Sequence, residues 1–410
     1  MENKKSDIIS YLVFAFAFVI IFISLVSVIF PSLIITFLDE SGLETTPFEL
    51  GTMAIPVLVA NVSLLAFGIL FYKKKLPNKI YRLFNFVLNF EVSRNVAILA
   101  FVGLIFLYIG HFMHDLSIDE ELLFGDYLRV KPTVDNWPFG DNVPFPDLHI
   151  LHVKNFFLKS SIILFQNIRV IPFLASIATL VLTYLITLEI SKKRFAGLVA
   201  IVVVLQSHIF LQFSTIATYD NFWTAFYLLS LYLIVKKWWY FSPISYIASV
   251  FSKPLSAVFL PMTLFFTYRA EIPKRKKLYI VLSYAIIISI IGAYALLFGI
   301  DIAEEATETG LTFDYVDFLA GFTTWTYHLR EDIFFLLFVL PLAVGLFLTS
   351  RNGIKQADSI LILIAGIALA MPLLAAFTEF RLHPYRLVPL LIFFAMGIGM
   401  LFSNRLKQQV

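Results

Sequence analysis

The chain has 410 residues, of which 60% are apolar and 14% are charged, with a mean hydropathy of +0.86. A soluble domain is about half apolar and a quarter charged, so a soluble enzyme, a disordered chain and a nucleic-acid binder are excluded. The net charge is only +3, and the absence of cysteine removes disulfides, thiol catalysis and Cys-ligated zinc.

A helix that crosses a bilayer needs about 20 predominantly apolar residues. Uncharged runs of that order cover 8–38, 50–72, 95–113, 170–188, 195–219, 278–300, 333–350, 359–378 and 387–404. A tenth run, 221–235, is short, but Lys236 and Lys237 at its end can reach to the interface. Stretches 238–252 and 254–268 are half-length and meet at Lys253-Pro254. The expected fold is an all-α polytopic membrane protein of about ten full spans plus a short broken helix pair. The first run is longer than a signal-peptide core and is not followed by a small-residue cleavage site, so it reads as a retained helix.

Sidedness follows from the basic residues. With a cytoplasmic N-terminus, the inner segments are 1–7, 73–94, 189–194, 236–242, 269–277, 351–358 and the tail from 405. They hold 22 of the 31 Lys and Arg residues and 6 of the 28 acids. This bias also sends the 238–268 pair in and out on the cytoplasmic side. Irregular backbone at membrane depth survives only when it is buried or faces a cavity, so Lys253 is expected to point into one. The outer loops are then 114–169, 301–332 and 379–386, with a short turn at 214–220. All seven histidines lie in the outer half, which is where polar chemistry is expected.

In the first outer loop, residues 118, 122, 123, 127, 128 and 130 recur at helical spacing. A short amphipathic helix on the membrane surface is expected there, started by a Ser117–Glu120 capping box and stopped by Pro132. Its acids read either as helix-start charges or as a general base at the membrane boundary. Asp119 is the better base because Glu120 has the capping role available. Four prolines and a glycine in 132–146 make an extended segment. His149 and His152 then share a helical face with Phe156 and Lys159; the pair suits a polar face better than a metal. Arg169 opens the next span, either as a headgroup anchor or as a phosphate ligand. Asp220 either caps the helix that follows it or contributes to a site. Lys253, a lone cation at membrane depth, reads as functional. Arg381 and Arg386 are headgroup anchors or phosphate ligands. Trp325, Tyr327 and His328 form an aromatic belt or line a sugar site.

Together these features resemble a family. Asp119-Glu120 follows a span directly. Phe145-Pro146-Asp147-Leu148-His149, Arg169-Val170-Ile171-Pro172, Thr218-Tyr219-Asp220-Asn221, Ala248–Pro254 broken at Lys253, and Pro384-Tyr385-Arg386-Leu387-Val388-Pro389 then come in order. The order is similar to that of the integral-membrane C-type glycosyltransferases. The nearest branch is the dolichyl-phosphate-mannose–protein mannosyltransferases and their aminoarabinose-transferase relatives. The resemblance covers about 95–405 and makes residues 1–94 a two-span N-terminal addition with a cytoplasmic loop. It lacks the family's Pro-Pro after the first loop.

The resemblance implies transfer of a sugar from a polyprenyl- or dolichyl-phosphate donor to an acceptor protein, lipid or glycan, with inversion, at the outer face of the plasma membrane. Both termini are then cytoplasmic. Asp119 is the implied base, Glu120 and Asp220 its catalytic companions. Arg169, Lys253, Arg381, His383 and Arg386 are the implied phosphate-binding set. No cofactor is expected, although a divalent cation between Asp119 and Asp220 is chemically possible. The alternatives are a non-catalytic subunit of a membrane complex, which degenerate motifs would suit, and a lipid or solute transporter.

Overall fold

The computed structural model describes residues 2–33, 46–136, 152–298, 313–377 and 383–403. Among these, every regular element is a helix. Six helical segments are long and apolar enough to cross a membrane: Ile8–Ile29, Ala54–Tyr72, Arg94–Ser117, Val170–Ser191, Tyr315–Arg351 and Gln356–Ala376. Arg194–Val204, Phe222–Val235 and Pro384–Met400 are apolar but shorter. The chain therefore has the make-up of an all-α membrane protein.

The helices form two compact units, and these do not follow chain order. One unit takes residues 1–92, 190–209 and 306–410; the other takes 93–189 and 210–305. The break after 92 falls near the expected 94/95 boundary. The N-terminal helices share a unit with the C-terminal ones. Long-range helix packing outweighs chain proximity here.

The first unit contains α1 (Glu2–Ile29), α2 (Ala54–Tyr72), α3 (Asn78–Asn89) and α8 (Arg194–Val204). It also contains α14 (Tyr315–His328), α15 (Ile333–Arg351), α16 (Gln356–Phe377) and α17 (Val388–Met400). α1 packs on α16 and α15, and α17 packs on α8. Small polar side chains join the helices where apolar surroundings offer no other partner. Asn61 of α2 donates to the Leu336 carbonyl at 2.8 Å and accepts from the Leu340 amide at 3.3 Å. These two groups normally bond to each other in a helix, and Asn61 holds them one residue before Pro341. At the other end of α15, the Ser10 hydroxyl donates to buried Asp358 at 2.8 Å and lies 3.1 Å from the Ser350 hydroxyl.

Two departures from the sequence pattern lie in this unit. The 195–219 run is not one helix: α8 ends at Val204 and a short helix, α9 (His208–Gln212), restarts the chain. Buried Asp332 stitches the break, accepting from the Ser207 hydroxyl (3.0 Å) and from the His208 and Ile209 amides (2.8 and 3.0 Å). The 301–332 segment, expected to be a loop, carries α14, whose first amides are capped by Asp314. Within it Trp325 is buried against Phe335, while Tyr327 is exposed beneath the Arg330 guanidinium. Asp332→Ala leaves three donors without their acceptor and is expected to cost about 2–3 kcal/mol. A lower Tm of the detergent-purified protein, with Asp332→Asn intermediate, is the expected reading.

The second unit contains α4 (Arg94–Phe112), α5 (Tyr127–Asp135), α6 (His152–Phe165), α7 (Val170–Ser191, its last two residues excepted) and α10 (Phe222–Val235). It also holds α11 (Ser242–Ser252), α12 (Leu260–Arg269) and most of α13 (Lys274–Phe298). Val134, Leu158, Ala217 and Phe222 form a buried core that ties α5, α6 and α10 together. Thr179, Thr183 and Thr187 run down α7, each fully buried and bonded to the carbonyl four residues back.

The broken pair expected around Lys253 is present. α11 ends at Ser252, Pro254–Phe259 forms a 3-10 turn, and α12 begins at Leu260. Lys253 is extended (φ −154°, ψ 117°), as a residue before proline prefers. Ser249 fixes the bend, donating to the Trp223 carbonyl (2.6 Å) and lying 2.8 Å from the Ser256 hydroxyl. The Tyr246 hydroxyl donates to the Ser256 carbonyl at 2.8 Å.

Candidate functional site

The segment after α4 shows which of its acids face inward. Asp119, not Ser117, caps the 3-10 turn Glu120–Leu122: its Oδ1 accepts the Glu121 amide at 3.0 Å. Ser117 instead donates to the His114 carbonyl at 2.7 Å. The expected Ser117–Glu120 capping box does not form, because the Glu120 side chain is drawn inward to a cation. The amphipathic helix begins later than expected, at Tyr127, and runs to Asp135 with Pro132 inside it rather than ending it. The Asn136 amide bonds to the Pro132 carbonyl at 3.0 Å and closes the last turn.

Glu120 is buried, and its cation is Arg169. The Arg169 Nε lies 3.2 Å from the Glu120 Oε1, and both side chains are almost wholly enclosed. The remaining carboxylate lone pairs are filled by the 217–218 backbone. The Ala217 amide donates to Oε1; the Thr218 amide and hydroxyl donate to Oε2 at 3.0 and 2.8 Å. Arg169 makes four hydrogen bonds of its own. Its Nε also donates to the Thr215 carbonyl (2.9 Å), its Nη2 to the Thr215 hydroxyl (3.2 Å), and its Nη1 to the carbonyls of Asp115 and Ile118. Burial lowers the guanidinium's pKa from its ordinary value, and the Glu120 carboxylate opposes that shift.

A second pair adjoins the first through the same backbone. Lys154 lies 3.1 Å from buried Asp220 and also donates to the Thr218 carbonyl at 2.7 Å. The other Asp220 oxygen accepts the Phe222 amide at 3.1 Å at the start of α10. Asp220 thus both caps the helix and holds a cation. Lys154 is the member that sequence reasoning missed. It sits two residues after His152 with nothing local to name a partner 66 positions away. Tyr219 extends the network by donating to Asp126. Asn221 donates to the Ser176 hydroxyl at 2.9 Å.

The quartet Glu120, Arg169, Lys154 and Asp220 carries no net charge. It clamps segment 115–120, the entry to α7 and the turn 214–220 together. A charge buried with complete hydrogen bonding is stable; the same charge deprived of its partner is not. Asp119 remains at the rim. It is exposed, with one oxygen on the Glu121 amide. Tyr127 lies close by, its pKa raised by burial and by the Glu120 and Asp119 carboxylates.

Lys253 belongs to this unit and is half-buried at the helix break. His383 and Arg386 belong to the other unit. Arg386 is buried on the 3-10 turn Pro384–Leu387, with its guanidinium 5.8 Å from the Tyr385 ring centre, and the His383 ring stacks on Tyr385 at 5.9 Å. Arg381 and His149 lie outside the described residues. Among the described residues, no three His, Asp or Glu side chains converge as metal ligands. Asp220 already carries Lys154 as its counter-ion, so a cation shared with Asp119 would have to displace it. Compared with protein-family models, with curated proteins and with solved structures, the chain finds no match.

Proposed function

We propose that the chain transfers a sugar from a polyprenyl- or dolichyl-phosphate donor to an acceptor on the outer side of the membrane. The observation that carries this reading is the opposite fate of two adjacent carboxylates. Glu120 is locked to Arg169 inside the fold, and that lock presents Asp119 as an exposed carboxylate at the end of an apolar helix. A carboxylate at that depth can take the proton of an acceptor hydroxyl as its oxygen attacks C1 of the sugar. The bond from C1 to the lipid phosphate breaks as the new C–O bond forms, and the configuration inverts. In this reading Lys253, a cation of the same unit, receives the phosphate, because a cation stabilises its developing charge. Glu120, Arg169 and Asp220 then position Asp119 rather than react. The active site faces outward from the plasma membrane, and the termini lie in the cytoplasm.

The test is transfer or hydrolysis by purified protein from a panel of radiolabelled polyprenyl-phosphate sugars. Labelled product from one or more donors is expected; no release from any of them by a monodisperse sample sinks the reading. A non-catalytic subunit of a membrane complex is the second reading. One observation favours it: the Glu120–Arg169 and Lys154–Asp220 groups are already fully engaged within the fold. Under that reading no donor turns over, and the clamp serves only to shape a docking surface.

A further inference from the structure

The stretch from 73 to 90 has a property that the proposed reaction does not use. No carboxylate occurs between Glu49 and Glu91, while Lys73, Lys74, Lys75, Lys79 and Arg82 crowd into ten positions. All five are exposed. α2 ends in a left-handed turn at Lys74 (φ 54°). The Lys75 amide bonds to the Leu70 carbonyl at 2.8 Å and the Lys74 amide to the Phe71 carbonyl at 3.0 Å. This closing motif usually holds glycine at the left-handed position, and it turns the chain back on itself.

α3 therefore folds against the end of α2. The Phe71 and Tyr81 rings are 5.1 Å apart, and the Phe67 and Phe84 rings 4.6 Å. α3 is strongly amphipathic. Ile80, Leu83, Phe84 and Val87 share one face at helical spacing, with Asn78, Arg82, Asn85 and Asn89 opposite. The apolar face is not buried: Leu83 is 59% exposed, Ile80 41%, Phe84 39% and Val87 38%. The helix is nonetheless fixed in place. Buried Lys193 donates to the Leu88 carbonyl at 3.0 Å, and Glu91 accepts from the Arg194 amide at 3.1 Å.

An apolar face held open at the level of the last two turns of a spanning helix, with basic residues on its flank, has the form of a helix lying in the plane of a bilayer surface. We propose that α3 is such a helix and that its partner is an anionic phospholipid leaflet. Leu83 and its neighbours enter the acyl boundary, and Lys73–Lys75, Lys79 and Arg82 meet the lipid phosphates. Charge complementarity selects this occupant, since an acid-free, five-cation surface attracts anionic lipid strongly. Continuity with α2 places the face at the right depth.

The test uses the full chain, whose lack of cysteine makes single labelling clean. Leu83→Cys and Asn85→Cys, each carrying an environment-sensitive fluorophore, are reconstituted in nanodiscs of phosphatidylcholine with phosphatidylglycerol. The label at 83 is expected to resist aqueous iodide, to be quenched by nitroxide-bearing lipid and to emit at shorter wavelength; the label at 85 should behave oppositely. Lipid retained by detergent-purified wild type should be enriched in phosphatidylglycerol. The K73Q/K74Q/K75Q/K79Q/R82Q variant should lose about threefold or more of that enrichment. Wild type in high salt should lose it likewise, because the attraction is screened.

Equal iodide quenching at 83 and 85 would overturn the proposal. So would protection of 83 from both quenchers, which would mean that protein, a second copy included, covers the face. Enrichment insensitive to both salt and the five substitutions would overturn the anionic assignment.

Discussion

Arg169→Met is expected to destabilise the protein more than any other single change in the clamp, by about 3–5 kcal/mol. The reason is what it leaves behind. Glu120 stays buried with its oxygens on Ala217 and Thr218, but its charge loses the Arg169 guanidinium that faces it. The carbonyls of Asp115, Ile118 and Thr215 lose their donor as well. Loss of monodispersity on heating in detergent reads the effect. Glu120→Leu alone should be nearly as damaging, since it strands the guanidinium. The double variant should recover part of the loss, because removing both members of a buried pair is far cheaper than removing one. A coupling energy near zero between the two sites would show that the pair is not acting as a unit. Arg169→Lys should not rescue: one ammonium cannot serve Glu120, Thr215 and two further carbonyls from a single forked plane.

Asp119→Asn is expected to do the reverse. Asparagine keeps an oxygen for the Glu121 amide, so the cap survives and the stability should stay within about 0.5 kcal/mol of wild type. If Asp119 is the base, transfer falls by about 10²–10⁴-fold, the usual contribution of general base catalysis. Sugar transfer and thermal stability, measured on the same preparations, separate the two positions. Asp119→Asn should lose rate with an unchanged Tm, whereas Arg169→Met should lose both through misfolding. Undiminished transfer by Asp119→Asn would remove it as base.

Much of the architecture was legible in the residue pattern. Length and apolarity mark the helices of Ala54–Tyr72, Val170–Ser191 and Gln356–Ala376 without reference to any neighbour. The bend at Lys253 follows from proline's effect on the residue before it, which is also local. The 195–219 run misled because apolarity cannot distinguish one helix from two. Its interruption depends on Asp332, more than 120 residues away, supplying the acceptors that a broken helix needs. Which apolar faces meet is likewise not written in any one helix: residues 1–92 share a compact unit with 306–410.

The site shows the same boundary more sharply. Composition and spacing alone determined that Asp119, Glu120, Arg169 and Asp220 stand out, because charged groups are scarce and these fall at the ends of apolar runs. They ranked Asp119 above Glu120 as a base only by giving Glu120 the capping role, and in the fold that role falls to Asp119. Tertiary structure separates the two residues by bringing Arg169 to Glu120 and leaving Asp119 exposed. Burial of a carboxylate is tolerable only where a cation and several donors converge, and those donors come from Ala217 and Thr218, about a hundred residues on. Lys154 was hidden for the same reason: its meaning lies in Asp220, and only the folded chain puts them 3.1 Å apart.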